Sequence, residues 1–387
     1  MGQLGKDPQH NTFSLWQMTS IITSTLIGVG ILTLPRTTTE KMLEAGWLAP
    51  ILGSIFAFFV IWLIAVLSRR FPGLTFIQYS PIVWGGHEHS RLGFWLSLPW
   101  ILIFIGVLFV STAITSRIFG EVVVTAVLQD TPLEVIIVSM FVLAVFLCLH
   151  ELDTLARVNE ILFPLILFPV LFIAFASFQK AEWNNILPLI RVPLKTAIMG
   201  SFETSYSFHG YEIMLIFFAF AHGDTGKVKA GFYGIGISVF VYTLIVLAGI
   251  VVFGYEELQK VTWPTLELVK TTQVPGLILE RLESAFLAVW VAAVFTTVAN
   301  GYYALIYSLR QLLKKGMLFQ RIASIVLVIP LFFVAIRPQN IVEIFNVTTF
   351  LGYTTVWISV VSPLIHWLIM LYRDRGRRTE KRSDAHG

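Results

Sequence analysis

The sequence predicts an all-α integral membrane protein with ten transmembrane helices, arranged as a 5+5 inverted repeat whose first and sixth helices are broken. Three observations predict this fold. Hydrophobic residues make up 56% of the 387-residue chain and charged residues only 13%, whereas soluble domains carry about a quarter charged residues. The apolar residues form segments long enough to cross a bilayer. Glycines interrupt the first and sixth segments at corresponding points.

Ten mainly apolar segments approach or exceed the length of about 20 residues that a bilayer requires, the fourth being short. We place them near residues 14–40, 47–68, 94–119, 133–149, 159–178, 196–221, 230–254, 282–310, 318–336 and 347–371. The sequence therefore predicts a single membrane domain over 1–387. Within it, repeat one covers about 14–178, repeat two covers about 196–371, and a basic tail covers 372–387.

The Lys and Arg residues between these segments set the orientation, because cytoplasmic loops carry an excess of them. With the N-terminus inside, most of the 27 Lys and Arg residues fall on the inner side, and both termini are predicted to be cytoplasmic. Because each repeat has five helices, an odd number, the second repeat starts on the opposite side of the membrane from the first. An inverted-topology repeat requires this arrangement. The basic tail is predicted to lie near anionic lipid.

The first segment contains the run Thr25-Leu-Ile-Gly-Val-Gly-Ile-Leu-Thr-Leu-Pro35. Gly28 and Gly30 weaken a helix there, since each glycine costs roughly 1 kcal/mol relative to alanine. Loose backbone at membrane depth is tolerated where it is buried in protein or lines a wet cavity. The run therefore predicts a broken helix at a binding site, and close helix packing through small residues is the alternative.

A broken helix can bind both charged groups of an α-amino acid. The N–H groups of Val29, Gly30 and Ile31 begin the outer half-helix, whose positive dipole end attracts a carboxylate. The carbonyl groups of Thr25 and Leu26 end the inner half-helix and can accept a hydrogen bond from an ammonium. Glycine is needed at positions 28 and 30 because a side chain would obstruct the ligand. The predicted ligand site of the first helix is therefore Thr25, Leu26, Gly28, Val29, Gly30 and Ile31.

The sixth segment is the most polar, and Gly210 marks its break. Carbonyl groups near Ser205 and Phe208 can add to the ligand site. The rings of Tyr206, Phe208 and Tyr211 can gate or shape the pocket for the ligand side chain, with ordinary helix packing as the alternative. Paired interruptions in the two halves predict a substrate site near the bilayer midplane.

Three ionisable residues, Glu203, His209 and Glu212, lie in this segment, where such residues are costly and usually functional. His209 and Glu212 are three residues apart and can share a helix face and a proton, because histidine titrates near neutral pH. The hypothesis is therefore ligand contact or proton coupling. The alternative is a satisfied polar network that holds the broken helix, with Glu212 capping the start of the inner half-helix.

The eighth segment carries Trp290 and Asn300, which we expect to face the cavity and to take part in gating or coupling. Thr296 and Thr297 lie at a depth suited to Na⁺, although threonine pairs also serve helix packing. No other metal site is expected, and no cofactor motif is present. The absence of a P-loop, a Gly-x-Ser-x-Gly and a His-Glu-x-x-His run predicts a protein that is not an enzyme. The net charge of +4 is not a nucleic-acid signal.

These runs resemble the amino acid–polyamine–organocation transporter superfamily, which implies a LeuT-like fold. Gly28-Val-Gly-Ile31 with Leu34-Pro35 is similar to its first-helix Gly-x-Gly-Ile and Leu-Pro, and Phe208-His-Gly-Tyr-Glu212 resembles its sixth-helix Phe-x-Gly-x-Glu. Within it the chain resembles the spore germinant-receptor B-subunit (spore permease) family. The runs that carry this likeness are Ser14-Leu-Trp-Gln17, Leu34-Pro35-Arg36, Arg70-Phe71-Pro72 and Leu282-Glu283-Ser284-Ala-Phe286 with Trp290.

The resemblance implies the membrane subunit of a spore germinant receptor in the spore inner membrane. Such a subunit is expected to bind a small nutrient, an amino acid, at the broken helices and to signal germination through partner A and C subunits. An H⁺- or Na⁺-coupled amino-acid transporter is the alternative, and a water or ion channel is a further one. The lysine that carries a proton in the fifth helix of some relatives is absent from Asn159–Phe178.

Overall fold

A computed structural model of the chain describes residues 13–87, 90–189, 192–221, 223–271 and 282–383. Side chains at 194, 201–203, 205–206, 224–225, 282–285 and 374–383 lie outside this description. Within the described ranges the regular structure is helical, and strand-like pairing is limited to one backbone bridge between Phe13 and Ala221. The predicted all-α class is confirmed.

Seventeen α-helices are assigned in the described part of the chain. They are α1 (Leu15–Leu26), α2 (Gly30–Met42), α3 (Ala49–Arg70), α4 (Phe76–Gly85), α5 (Arg91–Ala126), α6 (Leu133–Cys148), α7 (Leu152–Ser177), α8 (Leu194–Thr204), α9 (Met214–Phe217), α10 (Asp224–Phe253), α11 (Tyr255–Leu258), α12 (Pro264–Thr271), α13 (Leu282–Leu312), α14 (Met317–Val326), α15 (Val328–Ile336), α16 (Ile341–Val356) and α17 (Ser362–Ser383). Turns of 3₁₀-helix at Ser205–Phe208, Tyr211–Ile213 and Phe218–Phe220 join α8 to α9 and end the sixth segment.

Helices cover each of the ten predicted segments. By length and composition, seven helical stretches of the described chain can cross a membrane. The first and sixth segments are divided by their breaks, and α6 has 16 residues, about 24 Å at 1.5 Å per residue. The membrane fold is confirmed, whereas the count of ten spans stays a prediction. The tenth segment differs in detail, because a π-helical turn at Trp357–Val361 interrupts it and α17 continues helical through the tail to Ser383.

The start of α1 and the interior of α2 show how the sequence shapes the two halves of the first span. Ser14 and Gln17 form a reciprocal capping box that begins α1. Pro35 lies inside α2 and has no N–H to offer the carbonyl of Ile31 four residues earlier. The hydroxyl of Thr265, at the start of α12, donates to that carbonyl at 2.7 Å. The segment after the seventh span is therefore fastened to the outer half of the first span.

The first span lies at the centre of the bundle. Helix α1 packs against α7, α10 and α13, and α2 packs against α8, α10 and α12. Helix α5 packs against α13 and α16, which brings the third, eighth and tenth spans beside the breaks. Large apolar side chains such as Ile161, Phe168 and Phe350 are exposed on the outside of the bundle, as lipid contact requires. The buried centre and the apolar exterior together describe an integral membrane protein.

Candidate ligand-binding site

A cavity of about 180 Å³ lies between the two helix breaks. The first break, the sixth-span break, α5, α13 and α16 all contribute to its wall. The residues that line it are Thr25, Leu26, Val29, Gly30, Leu108, Ser111, Thr112, Ile114, Thr115, Ile118, Ser207, His209, Gly210, Glu212, Ile213, Thr297, Gly301, Thr348, Leu351 and Gly352. The structure therefore brings the two glycine-containing breaks to one cavity.

The first break separates α1, which ends at Leu26, from α2, which begins at Gly30. The N–H of Gly28 donates to the Leu26 carbonyl at 2.9 Å and turns the chain tightly between the halves. Val29 and Gly30 line the cavity, so the N-terminal end of α2, with its unsatisfied N–H groups, borders the space. This end of the helix favours an anion.

The two glycines of the first break have different surroundings. A Cβ added at Gly28 would overlap the side chain of Thr297. A Cβ added at Gly30 would have the carbonyl oxygen of Ser207 as its nearest neighbour, at 3.8 Å. Gly28 thus permits close packing of the first span on α13, whereas Gly30 keeps the cavity open. Of the two alternatives posed for the glycine pair, close packing describes Gly28, whereas a binding role for Gly30 stays a prediction.

The second break turns at Gly210, whose φ of 118° is a conformation that favours glycine. The carboxylate of Glu212 accepts a hydrogen bond from the Gly210 N–H at 2.8 Å. Glu212 also lines the cavity, as does His209. Among the described lining residues, these two carry the ionisable side chains. Glu212 is thus placed both to hold the break and to meet a ligand.

Tyr242 of α10 joins the two breaks. Its hydroxyl lies 2.5 Å from the carbonyl oxygen of Leu26 and 3.1 Å from that of Ser207, so one proton serves both chain segments. The ring of Phe208 packs against the Tyr242 ring at 5.3 Å between centroids. Tyr242 was not among the predicted site residues, although a hydroxyl in an otherwise apolar segment indicates a residue that needs a hydrogen-bond partner.

We expect Tyr242→Phe to lower the free energy of unfolding by about 1–3 kcal/mol, because two buried carbonyl groups lose a shared donor. Chemical unfolding of the purified protein in detergent measures this change. Tyr233→Phe, at an exposed position of the same helix, is the matched control and should change stability little. Equal stability of the two variants would show that the Tyr242 hydroxyl does not hold the breaks together.

The carbonyl groups predicted to receive an ammonium already have protein donors. The Leu26 carbonyl accepts from Tyr242, and the Thr25 carbonyl accepts from the Thr297 hydroxyl at 3.1 Å. A carbonyl oxygen has two lone pairs, and the Leu26 oxygen also accepts from the Gly28 N–H. A ligand ammonium must therefore share or displace these donors.

The hydroxyls of Thr296 and Thr297 lie against the end of α1. The Thr297 hydroxyl oxygen is 3.1 Å from each of three carbonyl oxygens, those of Ser24, Thr25 and Ala293. The Thr296 hydroxyl oxygen is 3.3 Å from the Ser24 carbonyl oxygen and 2.8 Å from the Ala293 carbonyl oxygen. Both hydroxyls serve helix packing here, and the oxygen-rich group has the ligand type that a hard cation takes.

Asn300 belongs to a buried amide network beneath the cavity. Its Nδ2 donates to the Thr25 hydroxyl at 2.8 Å and to Asn159 Oδ1 at 2.9 Å, and Asn159 Nδ2 returns a bond to Asn300 Oδ1 at 2.7 Å. The Ser24 hydroxyl donates to Asn159 Oδ1 at 2.5 Å. The network ties α1, α7 and α13 together just below the break.

Several predicted site residues lie behind the cavity wall and not on it. The Trp290 indole N–H donates to the Gly28 carbonyl at 3.3 Å, so it supports the break from behind. The predicted residues that the structure describes but that do not line the cavity are Gly28, Ile31, Phe208, Tyr211, Trp290, Thr296 and Asn300. The predicted roles of the Glu203, Ser205 and Tyr206 side chains lie outside the described side chains.

The lining outside the breaks includes hydroxyl residues that were not among the predicted site residues. Ser111, Thr112 and Thr115 come from α5, and Thr348 comes from α16. Positions i and i+4 share a helix face, so the Ser-x-x-x-Thr spacing in the third segment was a readable signal. Which faces of α5 and α16 meet the breaks depends on tertiary packing.

An all-helical membrane bundle in which two broken helices enclose a cavity is the plan of secondary transporters. Solved structures are similar to it. The chain matches Mhp1, a nucleobase-cation-symport-1 family transporter with bound bromovinylhydantoin, with a TM-score of 0.60 and 15% identity over 90% of this chain and 79% of that one. It also matches a Na⁺-coupled sialic acid symporter, with a TM-score of 0.64 and 12% identity over 89% of this chain and 77% of that one. The fold is therefore that of LeuT-like transporters.

Residues 12–344 match the family model for spore germination proteins of the spore permease group, and the chain belongs to that family. It is 29% identical to spore germination protein YndE of Bacillus subtilis over 94% of this chain and 97% of that protein. It is 26% identical to spore germination protein B2 of Bacillus subtilis over 92% of this chain and 95% of that protein. The fold neighbours are transporter proteins, and the relatives are spore germination proteins.

Proposed function

We propose that this chain is the membrane subunit of a spore germinant receptor, which binds a small nutrient, an amino acid, in the cavity between the broken helices. Binding shifts the equilibrium between two conformations because the ligand has different affinity for each. The signal passes to partner A and C subunits. The chain works in the spore inner membrane with both termini in the cytoplasm.

The observation that carries this proposal is the cavity enclosed by both breaks. Its volume of about 180 Å³ is below the roughly 300–1,000 Å³ of sites for drug-sized ligands, which favours a molecule of amino-acid size. The N-terminal end of α2 at Gly30 suits the ligand carboxylate. In the sixth-span break, the carbonyl of Ser207 and the carboxylate of Glu212 are candidate acceptors for the ammonium.

The wall facing the breaks indicates the ligand side chain. Ser111, Thr115 and Thr348 offer hydroxyl groups, with Ile114 and Leu351 between them. Burying a charged side chain without a partner is costly, and the ionisable groups among the described lining residues belong to the sixth-span break. We therefore infer a small, uncharged ligand side chain that is polar or apolar.

A coupled transporter is the second candidate, and the oxygen-rich group at Thr296 and Thr297 favours it. Three carbonyl oxygens lie within reach of the Thr297 hydroxyl at the junction of α1 and α13. A bound cation there would touch both a broken helix and its packing partner. Such a site would couple ion binding to the shape of the cavity.

The experiment that tests the proposal compares binding with transport in one preparation. The purified chain is reconstituted in liposomes, and radiolabelled neutral amino acids are offered with and without imposed Na⁺ or H⁺ gradients. We expect saturable binding of a small neutral amino acid without gradient-driven accumulation. Accumulation that follows either gradient would establish the transporter and contradict the receptor.

The partner claim needs a separate measurement. Tagged chain is purified from spore membranes and examined for co-purifying A and C subunits. Stable co-purification supports the receptor, and its absence from gently solubilised membranes would contradict it. Gly106→Val, at an exposed position of α5, serves as a neutral variant in both experiments.

A further inference from the structure

The hydroxyl side chains that line the ligand cavity differ in whether the protein already uses them. They belong to Thr25, Ser111, Thr112, Thr115, Ser207, Thr297 and Thr348. The hydroxyls of Thr25, Thr112, Thr297 and Thr348 each donate to a backbone carbonyl oxygen, at 2.6 to 3.1 Å. No hydrogen bond joins the hydroxyls of Ser111, Thr115 and Ser207 to any residue that the structure describes. These three hydroxyls are available to a ligand.

Two of the three lie on α5, where they are exceptions. Serine and threonine in a helix can donate to the carbonyl three or four residues earlier. The other hydroxyl residues of α5 do so at 2.7 to 3.0 Å, namely Ser97, Thr112, Ser116 and Thr125. Ser111 and Thr115 do not, and neither of them is fully buried. Both line the cavity, so the two hydroxyls that α5 leaves unused are offered to its contents.

Ser111 and Thr115 are four residues apart and form a pair on one face of α5. Side chains at this spacing have Cβ atoms about 5–6 Å apart. Two O–H···O hydrogen bonds of about 2.7–2.8 Å placed end to end span a similar distance. A ligand hydroxyl between the pair can therefore bond to both, and a carboxamide can donate to one and accept from the other. An aliphatic side chain would leave both hydroxyls without a partner, which costs free energy.

The charged groups of an amino-acid ligand are accounted for elsewhere in the cavity. The N-terminal end of α2 suits the carboxylate. The ionisable side chains among the described lining residues, His209 and Glu212, belong to the sixth-span break. The described lining from α5 carries no charge, so a charged ligand side chain against this helix would be buried without a counter-charge, which is costly. The hydroxyl pair is therefore suited to a neutral polar group.

We propose that the ligand is a neutral amino acid whose side chain carries a hydroxyl or a carboxamide group, and that Ser111 and Thr115 bind this group. The inference rests on the proposed binding of an amino acid in this cavity, and it narrows the ligand class to polar side chains. Ile114 and Ile118 of the same helix also line the cavity, and they suit the carbon atoms of such a side chain.

Equilibrium binding of four radiolabelled amino acids to the reconstituted full-length chain tests the proposal. Threonine and valine have nearly the same shape, as do asparagine and leucine, so each pair differs mainly in its hydrogen-bonding groups. We expect the polar member of the better-bound pair to bind at least about tenfold more tightly than its apolar partner. A site that bonds to a polar group rejects the analogue that lacks it, because its own polar groups are then unpaired.

Two variants assign this preference to the hydroxyl pair. Ser111→Ala and Thr115→Val should each reduce the polar-to-apolar preference by about fivefold or more, the effect of one neutral hydrogen bond. The control Ser116→Ala removes a buried hydroxyl of the same helix that donates to the Thr112 carbonyl at 2.9 Å and lies outside the described lining. It should leave the preference within about twofold of the wild type. Thermal unfolding in detergent checks that each variant is folded.

The possible outcomes separate this inference from the proposed function. Binding of valine and leucine as tightly as threonine and asparagine would overturn the inference and leave an amino-acid receptor in place. Equal weakening of both members of a pair by the Ser111 and Thr115 variants would also overturn it, because the hydroxyls would then contact the part that both members share. If neither these four amino acids nor glycine, alanine and serine bind, the proposed function fails, and the inference fails with it.

Discussion

Replacing Gly30 with valine is expected to weaken ligand binding by at least about 100-fold, which corresponds to about 2.7 kcal/mol. Gly30 begins α2 and lines the cavity, and the nearest atom to an added Cβ is 3.8 Å away. The added Cβ therefore makes only ordinary van der Waals contact with the protein, and the valine side chain enters the ligand space. The free energy of unfolding should stay within about 1 kcal/mol of the wild type, since no packed group is displaced.

The measurement pairs equilibrium binding of the labelled ligand in reconstituted protein with thermal unfolding in detergent. Gly106→Val makes the same chemical change in a helix where an added Cβ meets no atom within 4 Å. It should preserve both binding and stability. Undiminished binding by Gly30→Val would mean that the end of α2 does not contact the ligand, and the proposed carboxylate site would have to be abandoned.

Replacing Gly210 with valine is expected to act on the fold, lowering the free energy of unfolding by about 3 kcal/mol or more. Two costs combine at this position. The φ of 118° is a conformation that a β-branched residue strongly disfavours. An added Cβ would also lie 2.9 Å from the Thr25 side chain, so the two breaks would be forced apart.

Gly223→Val separates the two costs at Gly210. Gly223 also has a positive φ, of 67°, but a Cβ there meets no atom within 4 Å. Its replacement should cost only the backbone strain, about 1–3 kcal/mol, and less than the Gly210 change. Chemical unfolding of both variants in detergent gives the comparison. If Gly210→Val proved no less stable than Gly223→Val, the close approach of Gly210 to Thr25 would not exist in the folded protein.

The two expected results differ because the two glycines of the cavity wall have different structural roles. Gly30 leaves room for a ligand, and Gly210 permits a backbone turn. Gly28, two residues before Gly30, permits a close contact with Thr297. The sequence does not distinguish the three glycines, because it shows only that each position lacks a side chain. The reason for the absence lies in the atoms that surround each position.

The membrane fold and the two breaks were predictable from local properties of the sequence. Long apolar segments must be spanning helices, because lipid leaves backbone groups no other partner. Gly28, Gly30 and Gly210 weaken a helix locally, and the matching positions of their runs in the two halves indicated the breaks. Glycine cost alone was not enough, because Gly234 and Gly236 lie inside the unbroken α10. The runs around Gly28–Ile31 and Phe208–Glu212 also resemble known transporters, and the family match agrees with that resemblance.

The contacts between residues that are far apart in the sequence depend on tertiary packing. The Tyr242 hydroxyl meets the Leu26 and Ser207 carbonyls because α10 packs beside both breaks. Trp290 and Asn300 were expected to face the cavity, yet the rotation of α13 places both behind its wall. A helix pattern shows which residues share a face, but it does not show which neighbour that face meets.

The sequence by itself therefore determined that the chain is a helical membrane protein with two broken spans, since both properties follow from local composition and backbone cost. The tertiary structure decided which residues enclose the cavity and which support it from behind. It also brought Arg70 and Arg373 to one cavity where the end of α3, α4 and α17 meet, although about 300 residues separate them in the sequence. Contacts between distant segments depend on the packing of whole helices, which no local pattern encodes.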